Sequence, residues 1–225
     1  MALDSIGMKK QTKLWAVYFV LVLSGGGTPL VHGAEVWKSD FKDGLLGGWG
    51  AYGNGCQIKV AEEQTLKQNV LEATFDDSSI ETWANKGARI KIEGGIEWDK
   101  FKYLLFRYKV SPAVGTIGCL LHDTNGNWWG SLLKEDPSSM NGEALKANEW
   151  DSIALKKTTF AFKWNDDASI TSGEMNAEIV EMYIFAGLSH VNESEQYTFK
   201  IAEVAFSLTL PEGQAETVIP SYSGK

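Results

Sequence analysis

"KYLLFRYKV", Lys102–Val110, decides the fold class, because its residues alternate without a break. Leu104, Phe106, Tyr108 and Val110 fall on one side of an extended chain, and Tyr103, Leu105, Arg107 and Lys109 on the other. A period of two is what a strand with one buried and one wetter face requires. "ARIKIEG", Ala88–Gly94, repeats it, with Ala88, Ile90 and Ile92 against Arg89, Lys91 and Glu93. Further strands are predicted at 35–41, 56–61, 69–75, 116–122, 128–134, 151–157, 179–186 and 197–208. Short helical turns are expected at Glu62–Gln68 and Asn141–Asn148, and no long amphipathic helix. Regularly spaced strands without intervening helices predict an all-β antiparallel sandwich or jelly roll rather than a parallel α/β sheet.

The ends of the chain do not share this pattern. Residues 1–33 read as a signal peptide: Lys9, Lys10 and Lys13 form a basic start, "LWAVYFVLVL" (Leu14–Leu23) an apolar run, and "SGGGTPLVHG" a small-residue close. That apolar run is far shorter than the roughly 20 residues a bilayer-spanning helix needs, and no second such run occurs. The expectation is a secreted, periplasmic or cell-surface protein after cleavage of this leader, without membrane insertion. One domain is expected over 34–209, and 210–225, rich in Pro, Gly and Ser, is expected to be a flexible tail. Removing the leader moves the formal charge from −8 to −10, which disfavours nucleic acid as a partner.

Chemistry-bearing motifs are sparse. There is no G-x-S-x-G turn, no H-E-x-x-H helix and no phosphate-cradling G-x-x-x-x-G-K-[ST], and only His122 and His190 lie beyond the leader. Paired carboxylates of a glycosidase are harder to exclude, although the E-x-D-x-E strand motif is missing. Cys56 and Cys119 either pair across the sandwich in an oxidising compartment or remain buried free thiols.

Aromatic residues are the positive signal. Eight of the nine tryptophans lie beyond the leader, several flanked by polar residues and glycine, as in "GGWGAYGNG" and "ETWANKG". Flat rings beside hydrogen-bonding side chains suit sugars, whose apolar C–H face stacks on aromatics while their hydroxyls need partners. In "HDTNGNWWGS", His122–Ser131, a two-residue Asn125-Gly126 turn would pair Asp123 with Trp128 and His122 with Trp129. Adjacent tryptophans must point to opposite faces. That register expects Trp128 at the core or rim beside Asp123 and Trp129 facing a ligand beside His122. A turn one residue different in length would swap them.

"SDFKDGLLGGWGAYG" (Ser39–Gly53), "KYLLFRYKV", "LLHDTNGNWW" (Leu120–Trp129) and "YTFKIAEVAF" (Tyr197–Phe206) together resemble the galactose-binding-like jelly rolls of carbohydrate-binding modules. The family 11 type is the nearest, and the complex I intermediate-associated domain has a similar layout. The resemblance implies a concave sheet that binds a polysaccharide or oligosaccharide through stacking and hydrogen bonds, without cleaving it. Carried over by position, it implies Tyr52, Trp83, Arg107, His122, Asp123, Asn125, Trp128 and Trp129 as ligand-binding residues. It also implies a structural calcium held by Asp40 and Glu203, although the family's last strand usually shows an Asp-Asp pair where this chain has Ala202-Glu203. A β-sandwich polysaccharide lyase or glycosidase, and a structural or interaction domain of the cell envelope, are the alternatives.

Overall fold

The alternation is realised as two packed antiparallel sheets. The computed structural model describes residues 34–76, 85–111, 116–135, 147–187 and 196–217. Its strands, in chain order, are β1 (Glu35–Ser39), β2 (Trp49–Tyr52), β3 (Gln57–Glu63), β4 (Gln68–Asp76), β5 (Asn85–Glu97), β6 (Tyr103–Ser111), β7 (Thr116–Asp123), β8 (Asn127–Glu135), β9 (Asp151–Lys156), β10 (Ala161–Asn165), β11 (Glu178–Gly187) and β12 (Gln196–Ser207). A back sheet runs β3-β4-β12-β6-β9, with β1 beside the end of β12. A front sheet runs β10-β8-β7-β11-β5-β2. The fold is thus the all-β sandwich that the sequence predicts.

The core lies between the sheets. Leu104, Phe106, Tyr108 and Val110 of β6 are buried in it, as are Ala88, Ile90 and Ile92 of β5. Ile117, Cys119 and Leu121 of β7, in the same front sheet as β5, face the β6 residues across the core. Fully burying each large aliphatic or aromatic side chain contributes roughly 1.5–3 kcal/mol, so this layer is the main favourable term. Both cysteines are free thiols: Cys119 sits in the core, and the Cys56 Sγ–H donates to the Gly87 carbonyl at 3.3 Å. Burial pushes both thiols up from their ordinary range, so neither is a ready nucleophile.

Two elements depart from expectation. The helical turn expected at Glu62–Gln68 is instead the tight connection between β3 and β4, where Leu66 N–H donates to the Glu63 carbonyl at 3.2 Å and Lys67 takes φ 53°. The stretch beyond Leu210, expected as a tail, is tied down as far as Thr217. Leu210 packs on Leu105, Ala154 and Ala205 of the back sheet. Thr217 N–H donates to the Ala154 carbonyl at 2.9 Å, and Ala154 N–H donates to Thr217 Oγ1 at 2.9 Å. This last segment therefore covers the free edge of β9, whose unpaired backbone groups would otherwise face solvent.

Candidate functional site

Alternation along each front-sheet strand sends half of its residues away from the core, and on that outer face they are largely aromatic. Tyr52 comes from β2, Tyr183 and Phe185 from β11, Leu120 and His122 from β7, and Trp128 from β8. Gly118 makes room for them: a Cβ there would stand 2.3 Å from the Phe185 ring, so only glycine lets that ring lie down across β7.

The β7–β8 turn sets which tryptophan joins this face. Gly126 N–H donates to the Asp123 carbonyl at 3.0 Å and Gly126 itself takes φ 76°, the three-residue hairpin loop that ends in a left-handed glycine. The register is therefore His122 opposite Trp128 and Leu121 opposite Trp129, one residue off the two-residue turn. Trp129 is consequently a core residue, 4% exposed, and not the ligand-facing ring expected of it. Its edge packs on Trp98 at 5.6 Å and Phe162 at 5.8 Å between centroids.

Asp123 is buried with it, at 1% exposure, and its carboxylate is fully used within the hairpin. Oδ1 accepts from Asn125 N–H and Asn127 N–H, both at 2.9 Å. Oδ2 accepts from Asn127 Nδ2 at 3.1 Å and Trp129 Nε1 at 2.8 Å. A carboxylate so occupied builds the turn and does not reach a ligand.

On the outer face the rings form a ridge. His122 stacks on Trp128 with centroids 4.3 Å apart and planes 12° apart, and Trp164 stacks on Trp128 at 5.3 Å and 18°. Tyr183 leans on Trp128 at 5.2 Å, and Tyr52 meets Tyr183 edge-on at 4.7 Å. Trp128 thus has a ring against each face, whereas Trp164, at the edge of the sheet, is 46% exposed. It reaches this face through a β-bulge between Phe162 and Trp164. Phe162 pairs with core-facing Trp129, yet Trp164 pairs with outward-facing Trp128, although strict alternation would point both the same way. A second bulge, between Ile179 and Glu181, likewise puts Ile179 in the core and Glu181 on the outer face.

Polar groups flank the ridge. Asp166 clamps it, Oδ1 accepting from Trp128 Nε1 at 2.8 Å and Oδ2 from His122 Nε2 at 2.9 Å. The Trp128 hydrogen bond is the main reason its carboxyl is held below the usual range. Glu181 lies 3.8 Å from His122 Nδ1, and the Tyr183 hydroxyl is within hydrogen-bonding reach of Glu181 and Arg89. Burial pushes the Tyr183 and Tyr52 phenols up, so both remain neutral donors.

Of the residues expected to bind ligand, the structure brings together His122, Trp128 and Tyr52 on this face. Asn125 stands at the end of the sheet, its Nδ2 donating to Asn176 Oδ1 at 3.3 Å. Arg107 is on the outer face of the opposite sheet, because outward alternation from β6 leads away from the front sheet. Trp83 lies outside the described residues. Trp164, Asp166, Tyr183, Glu181 and Arg89 were missed. Trp164 lies in the short pentamer "AFKWN", whose alternation alone would have put it on the core side with Phe162, so the sequence carried no signal for its place on this face.

The residues expected to hold calcium do not fit it. Glu203 pairs with Lys38, and Asp40 with Lys42 at 3.1 Å. Each carboxylate already carries its own cation, whereas calcium takes six to eight oxygen ligands. Among the described residues no group of three or more His, Cys, Asp or Glu side chains is placed to hold a metal ion. Nor is any described helix long and apolar enough to cross a membrane.

No protein-family model matches the sequence, and no curated protein is found similar to it. Solved structures do share its fold. The family 11 carbohydrate-binding module from Clostridium thermocellum, in complex with a beta-1,3-1,4-mixed-linked tetrasaccharide, superposes with a TM-score of 0.54 at 15% identity, over 80% of this chain and 98% of that one. The CBM22-1 xylan-binding domain from Paenibacillus barcinonensis gives 0.50 at 14% identity, over 79% and 96%. An exo-beta-agarase gives 0.52 at 10% identity, over 80% of this chain and 25% of that one. The chain therefore has a β-sandwich fold like that of carbohydrate-binding modules.

Proposed function

We propose that this chain is an exported, non-catalytic carbohydrate-binding protein that takes a polysaccharide across the outer face of its front sheet. The observation that carries the proposal is Trp164: a large ring held 46% exposed on a stack of two others, outside a core that could have buried it. A pyranose would lay its C–H face on the free side of this indole. Tyr52 and Tyr183 continue the apolar strip, and Asp166, Glu181 and Arg89 offer acceptors and donors to its hydroxyls. The mixed-linked tetrasaccharide and the xylan named for the similar structures make neutral β-linked glycans the first ligands to try. The leader over residues 1–33 supports export, where such polymers are met.

Titration calorimetry against β-glucans, xylans and mannans tests this. Loss of one stacking ring costs about 1–3 kcal/mol, so Trp164→Ala should weaken binding about five-fold to a hundred-fold with an unchanged melting temperature. Binding that this substitution leaves untouched would remove the site. Reducing ends released on long incubation would overturn the non-catalytic part. No affinity for any glycan would favour a structural or interaction role.

A further inference from the structure

The back sheet carries a second, different set of side chains on its own outer face. Lys38 pairs with Glu35 and Glu203, and Lys109 and Lys200 pair with Glu63. Glu72 is shared by Lys59 and Lys200. Four carboxylates are thus neutralised by four lysines. A fifth cation, Arg107, is left over. Among the described residues its guanidinium makes no ion pair and no hydrogen bond, and its cross-strand neighbour Glu203, paired instead with Lys38, acts on it through charge alone. A half-buried guanidinium offers five N–H donors in a planar fork, and partly desolvating it without an acceptor is unfavourable.

Beside it stands a fixed ring. The Arg107 guanidinium lies 5.7 Å from the centroid of Trp150, and the Lys109 ammonium 6.0 Å from the same ring. Trp150 Nε1–H donates to Thr65 Oγ1 at 3.2 Å, and the Thr65 hydroxyl donates to Glu63 Oε1 at 2.6 Å. The indole is therefore anchored to the ion-pair network with the guanidinium over its ring. Arg107 is thus a guanidinium without a carboxylate partner among the described residues, next to an aromatic surface whose own sequence neighbours are Glu149 and Asp151.

We propose that Arg107 and Trp150 form a second binding site, on the sheet opposite the aromatic ridge, for a carboxylate-bearing sugar such as a uronic acid unit of an acidic polysaccharide. The fork takes the planar carboxylate through two parallel N–H···O bonds. Trp150 packs against the sugar ring that bears it. An acidic peptide suits the site less well, because it needs several free cations and the other four are already paired. The proposal is independent of the front-sheet site and fails separately from it.

Titration calorimetry of the full-length chain with trigalacturonate, at low and at moderate salt, tests it, with a neutral β-glucan oligosaccharide as the control ligand. Wild type should bind trigalacturonate, more weakly as salt rises. Arg107→Gln should lower that affinity at least ten-fold and leave the control ligand unaffected. Arg107→Lys, which keeps the charge but loses the fork, should fall between the two. The methyl-esterified trimer should not bind, and inorganic sulfate should compete only weakly if the sugar ring contributes. Sulfate binding as tightly as trigalacturonate would make the site a bare oxyanion site and overturn the sugar assignment. No trigalacturonate binding by wild type, equal binding by Arg107→Gln, or binding lost instead in Trp164→Ala would each overturn the site.

Discussion

Replacing Asp123 with alanine separates the structural role found for this residue from the ligand-binding role its position suggests. The carboxylate accepts four hydrogen bonds, at 2.9, 2.9, 3.1 and 2.8 Å. Asn125 is exposed, so its freed N–H returns to water. The backbone N–H and the side-chain amide of Asn127, together with Trp129 Nε1, are buried and would be left as three donors without that acceptor. Each orphaned buried donor costs about 1–3 kcal/mol, and neighbouring losses are less than additive. The expected destabilisation is about 3–5 kcal/mol, a large share of the roughly 5–15 kcal/mol typical of a domain. Asp123→Asn keeps the shape but sets an amide nitrogen or a weaker acceptor against these donors, and should cost about 2 kcal/mol. Urea unfolding followed by tryptophan fluorescence measures both, with glycan titration below the transition as the second readout. An Asp123→Ala protein within about 1 kcal/mol of wild type that had lost glycan binding would refute the reasoning.

Two further outcomes follow from the back sheet. Burial alone would push the Glu63 carboxyl up, but hydrogen bonds from Thr65 and Lys200 and the charges of Lys200 and Lys109 hold it at about 2 against an ordinary 4.5. Since its folded value is depressed, the stability it contributes is present above pH 4.5 and is lost as pH falls toward 2, on the order of 3 kcal/mol in all. Unfolding free energies at a series of pH values between 6 and about 2.5 should fall more steeply in wild type than in Glu63→Gln, where other depressed carboxylates such as Glu72 and Asp166 leave a shallower slope. Truncation after Thr209 uncovers Leu105, Ala154 and Ala205 and bares the edge of β9, so it should cost about 2–3 kcal/mol and promote self-association, read by denaturation and light scattering. An equally stable monomer would mean that the last segment covers nothing.

What could be read from the sequence follows from where alternation is unbroken. Lys102–Val110 keeps its alternation throughout and Ala88–Gly94 as far as Ile92, before Gly94 with φ 78° breaks the regular pairing of β5, and their buried and outward residues stand where a period of two puts them. The same holds for β7, whose Ile117, Cys119 and Leu121 face the core and whose His122 faces out. Two strands were not foreseen. "WGAY" sits in a glycine-rich stretch that reads as loop, and "AFKWN" is too short to stand out. Arg107 was placed on the correct face of its strand but credited to the wrong sheet, because alternation gives the side of a strand and says nothing of which sheet it joins.

The candidate site was misread where a single residue changes parity. A two-residue and a three-residue turn differ by one position, and with period-two strands that shift exchanges Trp128 and Trp129 between ligand and core. Asp123 is what selects the longer turn: its carboxylate collects the N–H groups of Asn125 and Asn127, an arrangement that the two-residue turn would pull apart. The bulge before Trp164 acts in the same way on β10, turning a ring that alternation assigns to the core out onto Trp128. These irregularities put Trp128 and Trp164 side by side on the outer face while leaving Trp129 and Phe162 to pack beneath them. Restoring perfect alternation to β10 would therefore bury Trp164 and leave the front sheet without its exposed ring.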